Sequence, residues 1–141
     1  MPTRKKKSKD DDTTLVAIQS GGTTIPIPQR FVDVLGTRYQ VLFKSEVPEG
    51  MMRDDENGCT LLQAKWIILD DEPLQQPVSD SDVKLGKKVL RHEIIHAFFY
   101  ESGLWQLCQD ENIVDWIAIQ FWKMAEAICK AEQDAFASKM L

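Results

Sequence analysis

The chain has 141 residues, 43% of them hydrophobic and 28% charged, with a net charge of -5. This composition fits one modest hydrophobic core and excludes a low-complexity or wholly disordered chain. No apolar run approaches the roughly 18 residues of a membrane-spanning helix, and an acidic body argues against broad nucleic-acid binding.

Arg4, Lys5, Lys6, Lys7 and Lys9 precede Asp10, Asp11 and Asp12 without any hydrophobic periodicity. Residues 1–14 therefore read as a disordered charged arm, and the lack of a following apolar segment argues against a secretory signal. Leu15 to Ile18 is an apolar run too short to classify. Gly21-Gly22 and Ile25-Pro26-Ile27-Pro28 mark extended, non-helical chain. Residues 31–35 and 38–43 are rich in β-branched and aromatic side chains around Gly36-Thr37, which predicts a β-hairpin. Pro48 to Gly58 is a long polar loop with turn chemistry at its end. Residues 59–62 form a short strand. Residues 65–69 form a better one, stopped by Asp70-Asp71-Glu72-Pro73 and expected to be the sheet edge. Residues 73–81 read as loop.

Two helices follow. Apolar residues at Val83, Val89, Leu90, Ile94, Ile95, Ala97, Phe98 and Phe99 predict a helix over 82–100, capped by Ser81 or Asp82 and ending near Ser102-Gly103. Ile113, Trp116, Ile117, Phe121, Met124 and Ile128 predict a second helix over about 110–138, with Asp110 and Glu111 in its first turn, where negative charge suits the helix dipole. Strands first and long helices last give an α+β fold: a small antiparallel or mixed sheet packed on these two helices. Cys59, Cys108 and Cys129 are odd in number and lack CxxC spacing, so they read as reduced thiols in a cytoplasmic protein.

The chemistry lies in the first long helix. His92 and His96 are the only two histidines, and Glu93 directly follows the first. Residues i and i+4 stack on one helix face about 6 Å apart along the axis, so two imidazoles so placed can bind one zinc ion. Glu93 is rotated about 100° around the helix, which brings its carboxylate beside the metal. This is the HExxH pattern: imidazole ligates zinc, zinc lowers the pKa of bound water toward about 7, and a carboxylate takes that water's proton.

Zinc in hydrolases takes three protein ligands and leaves a position for water. No third histidine exists, and Phe99 and Ser102 occupy the Gly and His positions of the longer pattern HExxHxxGxxH. The third ligand must then be a carboxylate or a thiolate. Glu111, opening the next helix, is the candidate. Asp115 lies one turn later on the same face, placed to accept the free N–H of a liganding histidine.

HExxH, a short connection and then Glu-x-x-x-Asp resembles the gluzincin pattern of thermolysin-like peptidases. More closely, residues 30–135 resemble small zincin-like proteins of phages and prophages. A more distant similarity is to zinc peptidases of mobile elements that cleave repressors. The resemblance implies a single zincin-like domain over 15–141, Zn2+ bound by His92, His96 and Glu111, Glu93 as catalytic base and Asp115 behind a ligand. It also implies a phage- or prophage-encoded protein in the bacterial cytoplasm. The connection between His96 and Glu111 is shorter than in thermolysin-like enzymes, and no further histidine is present to stabilise an oxyanion. Tyr100, one turn after His96, is the candidate substitute. The expected function is zinc-dependent hydrolysis of a peptide bond in a peptide or protein substrate, by a zinc-activated water. The alternative is a non-catalytic zincin-fold phage protein serving as a structural, assembly or regulatory binding module.

Overall fold

The computed structural model describes residues 17–20, 23–26, 29–74 and 78–139. The expected charged arm at 1–14 lies outside them. The elements in order are β1 (Ala17–Ser20), β2 (Thr23–Pro26), β3 (Phe31–Val34), β4 (Thr37–Phe43), β5 (Gly58–Leu61), β6 (Trp66–Leu69), α1 (Asp80–Glu101), α2 (Trp105–Cys108) and α3 (Glu111–Phe136). β1 and β2 pair antiparallel as a separate two-stranded sheet. The other strands form one mixed sheet in the order β3-β4-β6-β5, and with the helices they make an α+β fold.

The predicted β3–β4 hairpin forms, but its turn falls one residue earlier than Gly36-Thr37. Its two-residue loop, Leu35-Gly36, has positive φ at both positions (51° and 88°). That is the mirror-image turn whose twist matches the strands it joins, and Gly36 adopts it without a Cβ penalty. β4 and β6 then pair in parallel and β5 returns antiparallel against β6. The expectation that residues 65–69 form the sheet edge is therefore corrected. β6 has a partner on each side, and the edges are β5 and β3.

Side-chain alternation divides the sheet into two faces. Val34, Tyr39, Ile67 and Leu69 pack with Ala97 of α1, joined by Val89, Leu90 and Ile94. Leu42 and Ile68 face the other way and are covered by Met52, with Val47 and Met51 beside it. The long segment after β4, expected as a polar loop, thus supplies a buried methionine that closes the second face.

α1 starts two residues before the predicted span. Its N-cap is Ser79, whose Oγ accepts from the Asp82 backbone N–H while the Asp82 carboxylate accepts from the Ser79 backbone N–H at 3.0 Å. Asp82 is thus the third residue of a capping box, not the cap itself. At its far end Glu101 accepts from Tyr39 Oη at 2.6 Å, Lys65 Nζ at 2.5 Å and Thr37 Oγ1 at 3.2 Å, which fastens the helix to the sheet. α2 is a single turn absent from the sequence reading. α3 is capped by Asp110, whose Oδ1 accepts from the backbone N–H groups of Asn112 and Ile113. Val114 and Ala118 of α3 are buried, and Arg91 Nε donates to the Ala118 carbonyl at 3.0 Å, tying α1 to α3. No described helix is long and apolar enough to cross a membrane.

Candidate metal centre

α1 presents His92 and His96 on one face, with ring centroids 4.8 Å apart. α2 turns the chain so that α3 begins beside them. His92 Nε2 lies 2.9 Å from Glu111 Oε2, His96 Nε2 lies 3.2 Å from Glu111 Oε1, and the two Nε2 atoms are 3.1 Å apart. Among the described residues these three side chains are the one group that could hold a metal ion.

The outer ring nitrogens fix the chemistry of the inner ones. His96 Nδ1 donates to the Cys108 carbonyl at 2.6 Å. A carbonyl only accepts, so Nδ1 carries the hydrogen and a neutral His96 keeps its lone pair on Nε2. His92 Nδ1 faces Asp115 Oδ1 at 3.4 Å, which favours the same tautomer. With both rings neutral, two lone pairs and a carboxylate converge, a donor set that a cation would satisfy. Tetrahedral zinc with bonds of about 2.0–2.1 Å sets its donors about 3.3 Å apart. The spacings here fit that ion with small adjustments. Glu111 is 69% exposed at its side chain while His92 and His96 are 17% and 13%, so the group opens to solvent on the α3 side.

Asp115 has a nearer partner than the histidine. Lys88 Nζ is 2.7 Å from its Oδ1. That ammonium, with a smaller contribution from His92, holds the Asp115 carboxyl below its ordinary range. Asp115 stays charged and forms a bridge from Lys88 to His92.

Glu93 points to the edge strand. It is 6% exposed, and Thr60 Oγ1 donates to its Oε2 at 2.7 Å. Burial pushes its carboxyl up, while the Thr60 hydrogen bond and the neighbouring His96 pull it down; the net direction is upward. β5 approaches this closely because residue 58 is glycine. A Cβ there would meet Val89 Cγ1 at 2.6 Å and Glu93 Cγ and Oε1 at 3.2 Å. Thr60 and Gly58 escaped the sequence reading, in which Asn57-Gly58 served only as turn chemistry. Nothing local marks a strand residue as the neighbour of a helix residue 33 positions away.

The three donors, Glu93, Lys88 and Asp115 line one cleft of about 720 Å³, walled on one side by Gly58, Cys59 and Thr60. Tyr100 is not among its lining residues. It stacks edge-on against Trp105 at 5.9 Å, with Lys65 Nζ 4.8 Å from its ring centre. The cysteines stay outside the donor group. Cys108 Sγ donates to the His96 carbonyl at 3.3 Å and burial pushes its thiol up. Burial, then Glu56 and Glu93, pushes the Cys59 thiol up to about 11. No family model, curated protein or solved structure matches the chain.

Proposed function

We propose that this chain is a zinc-dependent peptidase resembling the small zincin-like proteins of phages and prophages, acting in the bacterial cytoplasm. One observation carries the reading: the convergence of His92 Nε2, His96 Nε2 and a Glu111 carboxylate about 3 Å apart, with Nδ1 of both histidines turned to acceptors. Neutral imidazoles with a carboxylate are a donor set that suits zinc. Zinc held there supplies Lewis acidity to a carbonyl oxygen and lowers the pKa of a water.

The chain supplies the rest. Glu93 takes the proton of the attacking water and returns it to the leaving amine. Thr60 holds Oε2 of that carboxylate, which leaves Oε1 beside Gly58 to receive the proton. β5, an edge strand along the cleft wall, offers its free backbone groups to an extended peptide.

A second reading is a binding module in which the metal only staples α1 to α3. It is favoured by one observation, the absence of Tyr100 from the cleft, which leaves the oxyanion without the side chain expected to stabilise it. Metal analysis and a peptide-library digest separate the two. The peptidase binds about one zinc per chain, cleaves library peptides, and on Glu93→Gln keeps its zinc and loses cleavage. Stoichiometric zinc with no cleavage by the native chain supports the binding module. No zinc uptake at all overturns both.

A further inference from the structure

We infer that the cleft takes an extended peptide with a large apolar side chain on the acyl side of the bond facing the metal, seated against Trp105 and Leu62. This rests on the cleft being a peptide site, whether the bound peptide is cut or only held. The cleft has two unlike ends, and contacts between β5 and α1 order them. Gly58 lies against Val89 and Glu93, and Thr60 Oγ1 donates to the Glu93 carbonyl at 3.1 Å. β5 therefore runs along α1 in the direction of α1 itself. Arg53 and Glu56, which precede Gly58, line one end with Lys88, the neighbour of Val89. Leu62, two residues beyond Thr60, lines the other. Trp105 of α2 belongs to that second end, because α2 follows the end of α1 and its Cys108 carbonyl accepts from His96 Nδ1.

The two ends offer different chemistry. At the first, the charged side chains are already paired: Arg53 Nε lies 3.4 Å from Glu56 Oε1, and Lys88 Nζ lies 2.7 Å from Asp115 Oδ1. At the second, Leu62 and Trp105 present apolar surface. Trp105 is 50% exposed although it lines a cleft, and the residue that α2 buries is Cys108. The Trp105 ring is fixed from behind. Tyr100 meets it edge-on at 5.9 Å, and Lys65, bound to Glu101 at 2.5 Å, lies 4.8 Å from the Tyr100 ring centre. A large aromatic surface that is already held in place loses little entropy when an apolar side chain covers it. Tyr100 thus acts on the cleft through Trp105, without lining it.

Strand pairing sets the direction of the peptide. β5 is an edge strand, and a peptide added to it pairs antiparallel, the more stable arrangement per residue. The peptide then runs from the Leu62 end toward Gly58. Its amino-terminal part meets Trp105, and its carboxy-terminal part meets Arg53, Glu56 and Lys88. At roughly 3.3 Å per residue, Leu62 stands about 7 Å along β5 from Thr60, which is level with Glu93. The apolar side chain therefore belongs to one of the two residues before the bond that faces the metal, and polar residues follow that bond.

Fluorescein-labelled dodecapeptides of Gly, Ser and Ala with one varied central residue test this by anisotropy. The zinc-loaded Glu93→Gln chain is titrated, so that each peptide stays intact. A central Phe or Leu should tighten binding about 10-fold or more over Asp. Adding Trp105→Ala should erase that difference, Trp105→Phe should keep it within about threefold, and Leu62→Ser should reduce it. Zinc uptake and far-UV circular dichroism check the fold of each variant, and Leu62→Ser decides the matter where Trp105→Ala does not fold. Mass spectrometry of a peptide-library digest by the native chain reads the direction: cuts should fall within two residues after a large apolar one. Peptides that bind equally or not at all overturn the proposal, as does a preference that survives both Trp105→Ala and Leu62→Ser. Cuts that instead precede the large apolar residue overturn the antiparallel direction. Cleavage without any preference overturns the subsite and leaves the peptidase reading standing. Preferential binding without cleavage supports the subsite and removes the peptidase reading.

Discussion

α1 carries two polar clusters, and they differ in one respect that separates scaffold from site. At its end, Glu101 accepts from Lys65, Tyr39 and Thr37. The carboxylate accepts from all three and Tyr39 Oη also accepts from Lys65 Nζ at 3.4 Å, so donors and acceptors are matched within the network. Two turns earlier, His92, His96 and Glu111 bring two imidazole nitrogens and a carboxylate face to face. A satisfied polar network rigidifies a fold, whereas a convergent donor set is held in place for a cation by the elements around it. Here those elements are the His96–Cys108 clasp, the Lys88–Asp115 bridge and the docking of α3 on α1.

The comparison is broken most directly by removing a donor from the second cluster. Excess zinc should raise the melting temperature of the native chain, since a ligand at 100 times its dissociation constant adds about 2.7 kcal/mol. That shift should vanish in His92→Ala and in His96→Ala. A zinc-induced shift that survives either substitution places the metal elsewhere.

Glu101→Gln attacks the first cluster. It removes a charged acceptor from the buried Tyr39 hydroxyl and should cost about 2–3 kcal/mol of stability by denaturant titration. The zinc-induced shift should remain, because no metal donor is touched. Acid reads out the same contact. Lys65, then Tyr39, holds the Glu101 carboxyl below its ordinary value of 4.5. The unfolded chain therefore binds this proton first, and the contribution is present above about pH 4.5 and lost as pH falls through the lower folded value. The stability gap between the native chain and Glu101→Gln should shrink over that window. A gap that stays constant from pH 6 to about pH 3 contradicts the assignment.

Asp115 and Thr60 sharpen the comparison at smaller scale. Asp115→Asn should weaken zinc affinity about 10–100-fold without unfolding the chain. Asp110→Asn should leave it within about twofold, since asparagine caps a helix as well as aspartate does. Equal titrations for the two would remove Asp115 from the site. Thr60→Val should leave zinc affinity nearly untouched and lower the turnover of any cleaved peptide about 10-fold, with Thr60→Ser restoring it. An equal loss in the serine variant would make the effect one of packing.

By itself the sequence determined what is local. The face shared by His92 and His96, and the turn that sets Glu111 before Asp115, follow from helical periodicity alone. The β3–β4 hairpin follows from its two-residue turn, and the α+β class from the order of elements. Tertiary structure decided whatever joins distant segments. Only the packing of α3 on α1 brings Glu111 to both imidazoles, since no sequence spacing fixes the angle between two helices. Only the order β3-β4-β6-β5 makes β5 an edge and encloses β6, because hydrophobic pattern gives a strand its faces and not its neighbours. The contact of Thr60 with Glu93 depends on how closely a strand can approach a helix. The missing side chain of Gly58 allows that approach, and this becomes visible only once Val89 and Glu93 stand opposite it.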